Sequence, residues 1–154
     1  MPEKRPTSIE ILARGLVESD GRILVCQNIK HKHVFLPGGH VEPGEGAPFA
    51  LAREFEEENG ERIRVGPLLL VAESSFVQRG RPKHELNLVF HVEHTAGAWP
   101  AEAQSREPHI RFAWLGRDDI QERLLPHDVG AWVAAWASER EGRHPSADWL
   151  SDMD

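Results

Sequence analysis

One stretch of this chain constrains the rest more than any other. It runs Gly39, five residues, Glu45, seven residues, Arg53-Glu54, apolar Phe55, one residue, Glu57-Glu58, one residue, Gly60. With average composition, this fixed set of positions would co-occur by chance on the order of 10⁻⁷ per chain of this length. Residues 47–59 read as a helix, with Pro48 tolerated in its first turn and Gly60 as its C-terminal stop. At about 100° per residue, Glu54, Glu57 and Glu58 fall within an arc of about 100°. Phe49, Ala52 and Phe55 fall on another side, as a core-facing stripe should. Ala50 lies on the carboxylate face one turn earlier, where a small side chain leaves room for a ligand. Three like charges at i, i+3 and i+4 cost about 0.2–0.5 kcal/mol per pair, so helix stability does not explain them. Hard divalent cations do want clustered carboxylate oxygens, and Mg²⁺ commonly takes phosphate oxygens as further ligands. A solvated face is the commoner fate of a Glu-rich helical turn; the surrounding spacing sets this one apart.

Charge points to the same place. The 154 residues carry 18 Lys+Arg against 25 Asp+Glu, a formal charge of −7. Between Gly39 and Glu61, seven glutamates and one arginine leave −6, so the other 131 residues sum to only −1. A net-acidic chain with no basic run is a poor candidate for holding a nucleic-acid duplex through its phosphates. If the ligand is polyanionic, a cation must come between. The length suggests one domain with a real core. The longest apolar run, Leu68-Leu69-Leu70-Val71-Ala72, falls far short of a membrane span. Met1–Pro6 has no hydrophobic segment behind it, so no secretory signal is expected. The single cysteine, Cys26, fits a reducing compartment, and the expected location is cytoplasmic.

Residues 1–8 read as a polar lead-in, 9–142 as the domain, and 143–154 as an acidic, loosely ordered tail. Ile9, Ile11, Ala13, Gly15 and Val17 alternate as in a half-buried strand. Ser19-Asp20-Gly21 is a turn signal, with Arg22–Gln27 returning as a hairpin partner. Residues 63–74 and 85–93 read as strands joined by the polar stretch 78–83, then 94–109 as a loop and 110–115 as a short strand. Asp118 and Asp128 stand where each can cap a helix. Val129, Trp132, Val133 and Trp136 line one apolar face of the second. Strands interleaved with a few helices indicate a layered α/β or α+β domain.

The segment GHVEPGEGAPFALAREFEEENGE resembles the signature box of the Nudix hydrolase family, G-x5-E-x7-R-E-U-x-E-E-x-G-U, with U bulky and apolar. Every fixed position matches except the last, where Glu61 replaces an apolar residue just past the helix. Leu36-Pro37-Gly38-Gly39 is similar to the family's usual lead-in to the box. The resemblance implies an α/β/α sandwich with a mixed β-sheet. It makes Glu54, Glu57 and Glu58 the metal ligands, with the Gly39 carbonyl as a further one. It makes Glu45 and Arg53 structural, pairing to hold the loop against the helix. The physical chemistry agrees, because an arginine fork suits a carboxylate. The implied cofactor is Mg²⁺, with Mn²⁺ as a stand-in. The implied partner is a small-molecule nucleotide, and association into a homodimer is compatible with the pattern.

The family hydrolyses a nucleoside diphosphate linked to another group X: water attacks phosphorus and a phosphate leaves. Bound metal stabilises the developing charge and acidifies the water. A carboxylate must still remove the proton. Glu54 is the helix candidate for that base and Glu107 the loop candidate, with Glu102 its competitor. The downstream proline, tyrosine and other markers of several subfamilies are missing from the sequence, which leaves the group resembling MutT, acting on nucleoside triphosphates or related small nucleotides. Arg79–His84 and Lys30–His33 are basic stretches more in keeping with solvated loops than with phosphate contacts. Three rival readings fit parts of the pattern. A catalytically silent domain of the same family would bind nucleotides as a sensor. A carboxylate-rich calcium-binding or interaction domain would place its acids in a flexible loop. Isomerase chemistry on a prenyl diphosphate would need a cysteine as acid and base, whereas Cys26 sits within a strand.

Overall fold

Hairpin turns and helix stops divide the chain into short elements whose apolar residues have to be covered from two sides. The computed structural model describes residues 4–139 and 146–153. In order these form β1 (Glu10–Leu16), β2 (Glu18–Ser19), β3 (Arg22–Asn28), β4 (Gly38–His40), α1 (Ala47–Asn59), β5 (Ile63–Gln78), β6 (Arg81–His94), β7 (Ile110–Leu115), α2 (Arg117–Arg123), α3 (His127–Ser138) and β8 (Asp148–Ser151). One sheet has the order β4-β1-β6-β5-β8 and is mixed, with β1 parallel to β6 and β5 parallel to β8. A second sheet, β2-β3-β7, is antiparallel. The α/β class with a mixed sheet is the one the sequence predicts.

Neighbouring residues of β1 enter different cores. Leu16 joins Leu70, Val89, Ile120, Leu124, Val129 and Val133 on the α2–α3 side. Ala13 and Val17 join Leu51, Phe55, Phe90 and Phe112 on the α1 side. Strand β1 is thus covered on both faces, not half-buried as its alternation suggested. Ile9 and Ile11 also depart from expectation, standing 59% and 43% exposed. The α1-side core begins only at Ala13, so the two isoleucines lie beyond the part of that face the helix covers.

Both hairpins close in two residues with positive φ, at Asp20-Gly21 (52° and 75°) and Arg79-Gly80 (50° and 73°). This is the backbone twist that lets tight turns continue a right-twisted ribbon. The second turn is tighter than the sequence implied, so β5 and β6 run on through the stretch 78–83. Lys83 there pairs with Glu10 at 3.4 Å and His84 with Glu73 at 3.4 Å.

Helices α2 and α3 start two residues earlier than predicted, with Gly116 and Pro126 as N-caps. Asp118 and Asp128 fall in the first turns instead, where negative charge still suits the helix dipole. Val129 and Val133 are buried, and Trp132 and Trp136 pack half-buried on the same core. The expected loose tail contains a strand: β8 lies along β5, with Val71 opposite Trp149. Trp132 Nε1 donates to Asp148 Oδ2 at 2.7 Å, and the Ser75 N–H donates to Asp152 Oδ1 at 2.8 Å. Only Leu150 of this strand is half-buried, so backbone pairing holds it and leaves little hydrophobic signal in the sequence. Residues 143–145 and 154 of the predicted tail lie outside the described residues. No described helix is long and apolar enough to cross a membrane.

Candidate active site

Helix α1 spans Ala47–Asn59 as its sequence predicts, with Pro48 in the first turn and Gly60 left-handed at φ 74°. The face it buries differs. Ala50, Leu51, Phe55 and Asn59 are the buried residues, while Phe49 is 69% exposed. Leu51, Phe55 and Asn59, at i, i+4 and i+8, form the sheet-facing stripe; Phe49, in the first turn, lies off it. Ala50 is therefore packed against protein and leaves no open space for a ligand.

The loop before the helix is pinned to β1. Gly38 has φ 138°, and a Cβ there would lie 2.0 Å from the Ala13 carbonyl oxygen, so only glycine allows β4 this close. Gly39 backs onto Glu54: a Cβ at 39 would come 2.5 Å from the carboxylate carbon. Arg53 then ties loop to helix. Its Nε and Nη2 donate to Glu45 Oε2 at 2.7 Å and Oε1 at 2.9 Å, the two-pronged geometry that makes such pairs strong. Nη2 also donates to the His40 carbonyl at 3.2 Å, and Nη1 to Glu54 at 3.1 Å and Glu57 at 3.3 Å. The Glu42 N–H donates to Glu45 Oε1 as well. These bonds, from Arg53 first, hold the Glu45 carboxyl below its ordinary value; bonding to Glu45 in turn raises the Arg53 guanidinium.

Glu58 is half-buried, and burial pushes its carboxyl up to about 8, with the Glu54 charge adding to the effect. Arg14 works against this; Glu107 and Glu57 reinforce it. The loop glutamate predicted from the sequence thus comes within electrostatic reach of the helix acids. Glu107 is half-buried and tied locally: its N–H donates to Ser105 Oγ at 3.1 Å, and its Oε2 pairs with His109 at 3.3 Å. Glu102 and Glu56 are exposed. Lys30, His31 and Lys32 are exposed, and His33 meets the His127 ring edge-on. Burial, chiefly, pushes the Cys26 thiol up to about 12, which suits a packed side chain rather than a nucleophile.

Two arginines were not foreseen. Half-buried Arg14 on β1 donates to Asn87 Oδ1 at 3.3 Å and to the carbonyls of Leu36 and Gly38 at 3.2 and 3.4 Å, reinforcing the loop from behind. Loss of water lowers its pKa, and Glu85 and Glu58 oppose that. A charged residue inside an alternating strand pattern was the available signal, since such a residue is tolerated there only when paired. Arg106 touches the end of α1 from the 95–109 loop, a non-local contact with no sequence signature.

The donor set suits a hard divalent cation in its chemistry: three carboxylates on one helix with a backbone carbonyl segment beside them. Among the described residues, however, no three His, Cys, Asp or Glu side chains already converge on one point. Arg53 Nη1 engages Glu54 and Glu57, and Glu57 is exposed enough to exchange that partner for another. The residues fit the group, and Glu54, Glu57, Glu58 and the Gly39 carbonyl are those that could hold it.

Residues 9–136 match the family model of the NUDIX domain. The human 8-oxo-dGDP phosphatase NUDT18 is 31% identical over 139 residues, covering 88% of this chain and 41% of that protein. This chain thus spans less than half the length of that relative. The Escherichia coli (O1:K1 / APEC) nucleoside triphosphatase NudI is 30% identical over 115 residues, covering 68% of this chain and 80% of the relative. The solution structure of the E. coli ORF135 protein superposes with a TM-score of 0.61 at 25% identity, over 90% of this chain and 95% of that one.

Proposed function

The chain belongs to the Nudix hydrolase family, and from that premise we propose that it hydrolyses the diphosphate linkage of a nucleoside diphosphate joined to another group. The favoured substrate is a nucleoside triphosphate or a related small nucleotide. Both relatives' names describe phosphate removal from nucleotides, a nucleoside diphosphate in one and nucleoside triphosphates in the other. The observation that carries the proposal is the set Glu54, Glu57 and Glu58 on one helix, braced by the Arg53–Glu45 fork, with the charge of Glu107 acting on Glu58.

Glu54, Glu57, Glu58 and the Gly39 carbonyl would hold the divalent ion, Mg²⁺ or its substitute Mn²⁺. When bound, that ion supplies positive charge to the phosphate oxygens and acidifies water. The protein's own groups do the rest. Glu107, or Glu54 in its place, takes the proton from the water whose oxygen forms the new bond to phosphorus. The bridging P–O bond breaks and its electron pair leaves with the departing phosphate. Arg53 keeps Glu54 and the preceding loop in register, and Arg14 secures the carbonyls of Leu36 and Gly38. The reducing cytoplasm is the proposed location, in keeping with a single packed thiol.

The test is a screen with Mg²⁺ over nucleoside triphosphates, ADP-ribose, nucleotide sugars and dinucleoside polyphosphates. Hydrolysis of at least one class is expected, abolished by a chelator and restored by excess Mg²⁺. Nucleotide binding with no turnover on any class would replace the hydrolase with a sensor.

A further inference from the structure

The last turn of a helix leaves carbonyl groups without partners, and it carries the negative end of the helix dipole. Helix α1 makes this worse: Glu54, Glu57 and Glu58 stand in its last two turns, and its last turn holds no basic residue. The shortfall is met from outside. Gly60 N–H donates to Phe55 O and Glu56 O, both at 3.1 Å. Two further bonds come from Arg106. Its backbone N–H donates to Glu58 O at 2.7 Å, and its Nη1 donates to Glu56 O at 3.3 Å. The guanidinium lies so close over Gly60 that a Cβ there would stand 2.5 Å from Nε.

Arg106 is the residue before Glu107. On the far side of Glu107 the chain is equally fixed: the Ile110 N–H donates to Glu107 O at 3.3 Å, and Ile29 N–H donates to His109 O at 3.2 Å. Ser105 Oγ donates to Glu107 O at 2.8 Å. The 95–109 loop has no helix or strand of its own, so these contacts set where Glu107 stands.

We infer that Arg106 is a positioning residue: by clasping the C-terminal end of α1 with both its backbone and its guanidinium, it locks Glu107 at the carboxylate face of that helix for the hydrolytic step. This rests on the role proposed above for Glu107. It adds a reason for Gly60 beyond its left-handed backbone, because any side chain there would displace the clasp. Arginine suits the task because its planar fork can lie flat over a glycine while donating to a carbonyl, which a lysine ammonium does less well.

The test is a double-mutant cycle of Arg106→Ala and Glu107→Gln, read on kcat and KM for the best substrate of the screen, with Mn²⁺ affinity by calorimetry alongside. Arg106→Ala is expected to lower kcat about 10- to 100-fold, with KM and Mn²⁺ affinity little changed, as for a misplaced catalytic group. In the Glu107→Gln background the same substitution should change kcat by less than about twofold, because residues acting through one another are not additive. Arg106→Lys should recover part of kcat, and it replaces the alanine variant if that fails to fold. A drop in kcat for Glu107→Gln with none for Arg106→Ala or Arg106→Lys overturns the clasp alone. So does full additivity of the two losses. Wild-type kcat in Glu107→Gln instead removes the role of Glu107, and the clasp with it.

Discussion

The segment from Gly39 to Gly60 and the loop 95–109 both carry glutamates of the proposed site, and they are held in different ways. In the first, three of the acids are held by a group of the same segment: Arg53 reaches Glu45, Glu54, Glu57 and the His40 carbonyl. In the second, Glu107 is placed by bonds to other elements, through Arg106 on α1 and through His109 on the Ile29 amide. A self-contained brace can be specified by residue spacing along the chain. A brace that reaches across the fold cannot, because its partners are far apart in sequence.

This difference can be broken at three points. The largest effect is expected from Arg53→Lys. Lysine keeps the charge but cannot supply the two-pronged bond to Glu45 together with bonds to Glu54 and His40. Turnover should fall about 10- to 100-fold, the range seen when a group supporting metal ligands is lost. Steady-state kinetics at saturating Mg²⁺ measures it, and wild-type turnover would mean that the internal brace is dispensable.

A smaller effect is expected from Gly60→Ala. The left-handed backbone at φ 74° costs a side-chain residue about 1–2 kcal/mol, read as a lowered midpoint in denaturant unfolding. The added methyl also meets the Arg106 guanidinium. The loss should therefore shrink when Arg106 is already alanine. An equal loss in both backgrounds would show that the guanidinium does not press on this glycine.

The smallest effect is one of acid. The Glu45 carboxyl lies below its ordinary value of 4.5 because it accepts bonds from Arg53 and the Glu42 amide. A carboxyl lowered in the folded state adds stability that is fully present above the unfolded value, and that is lost as pH falls through the folded one. The gap in Tm between wild type and Glu45→Gln should thus be constant above about pH 5 and close below pH 4.5. A gap that persists unchanged at the lowest pH would remove the charged form of Glu45 from the account.

What the sequence makes legible follows the same division. The extent of α1 and its glycine stop are local and follow from the spacing of a few residues, and the resemblance to the family box implies the equally local pairing of Glu45 with Arg53. The helix's buried face was misjudged at Phe49, because an apolar side chain in the first turn need not point at the sheet. Strand β8 escaped notice because main-chain pairing to β5, not a run of apolar residues, holds it. Arg14 and Arg106 escaped for a related reason: their partners, Asn87 for one and the end of α1 for the other, lie 73 and about 50 residues away. Glu61, the one departure from the family box, finds its use in the same non-local way, bonding His94 at 2.6 Å beside the Trp99 ring.

The central claim is that position on α1, and not acidity as such, gives the glutamates their role. Glu56→Gln and Glu57→Gln remove the same charge one residue apart, from two exposed side chains. Mn²⁺ binding by calorimetry and Mg²⁺-dependent turnover, measured on both folded variants, separate the two ideas. Glu57→Gln should weaken the metal and lower turnover more than about 100-fold, while Glu56→Gln stays within about twofold of wild type, as a solvated surface charge should. Equal behaviour of the two variants, whether both active or both impaired, would contradict it.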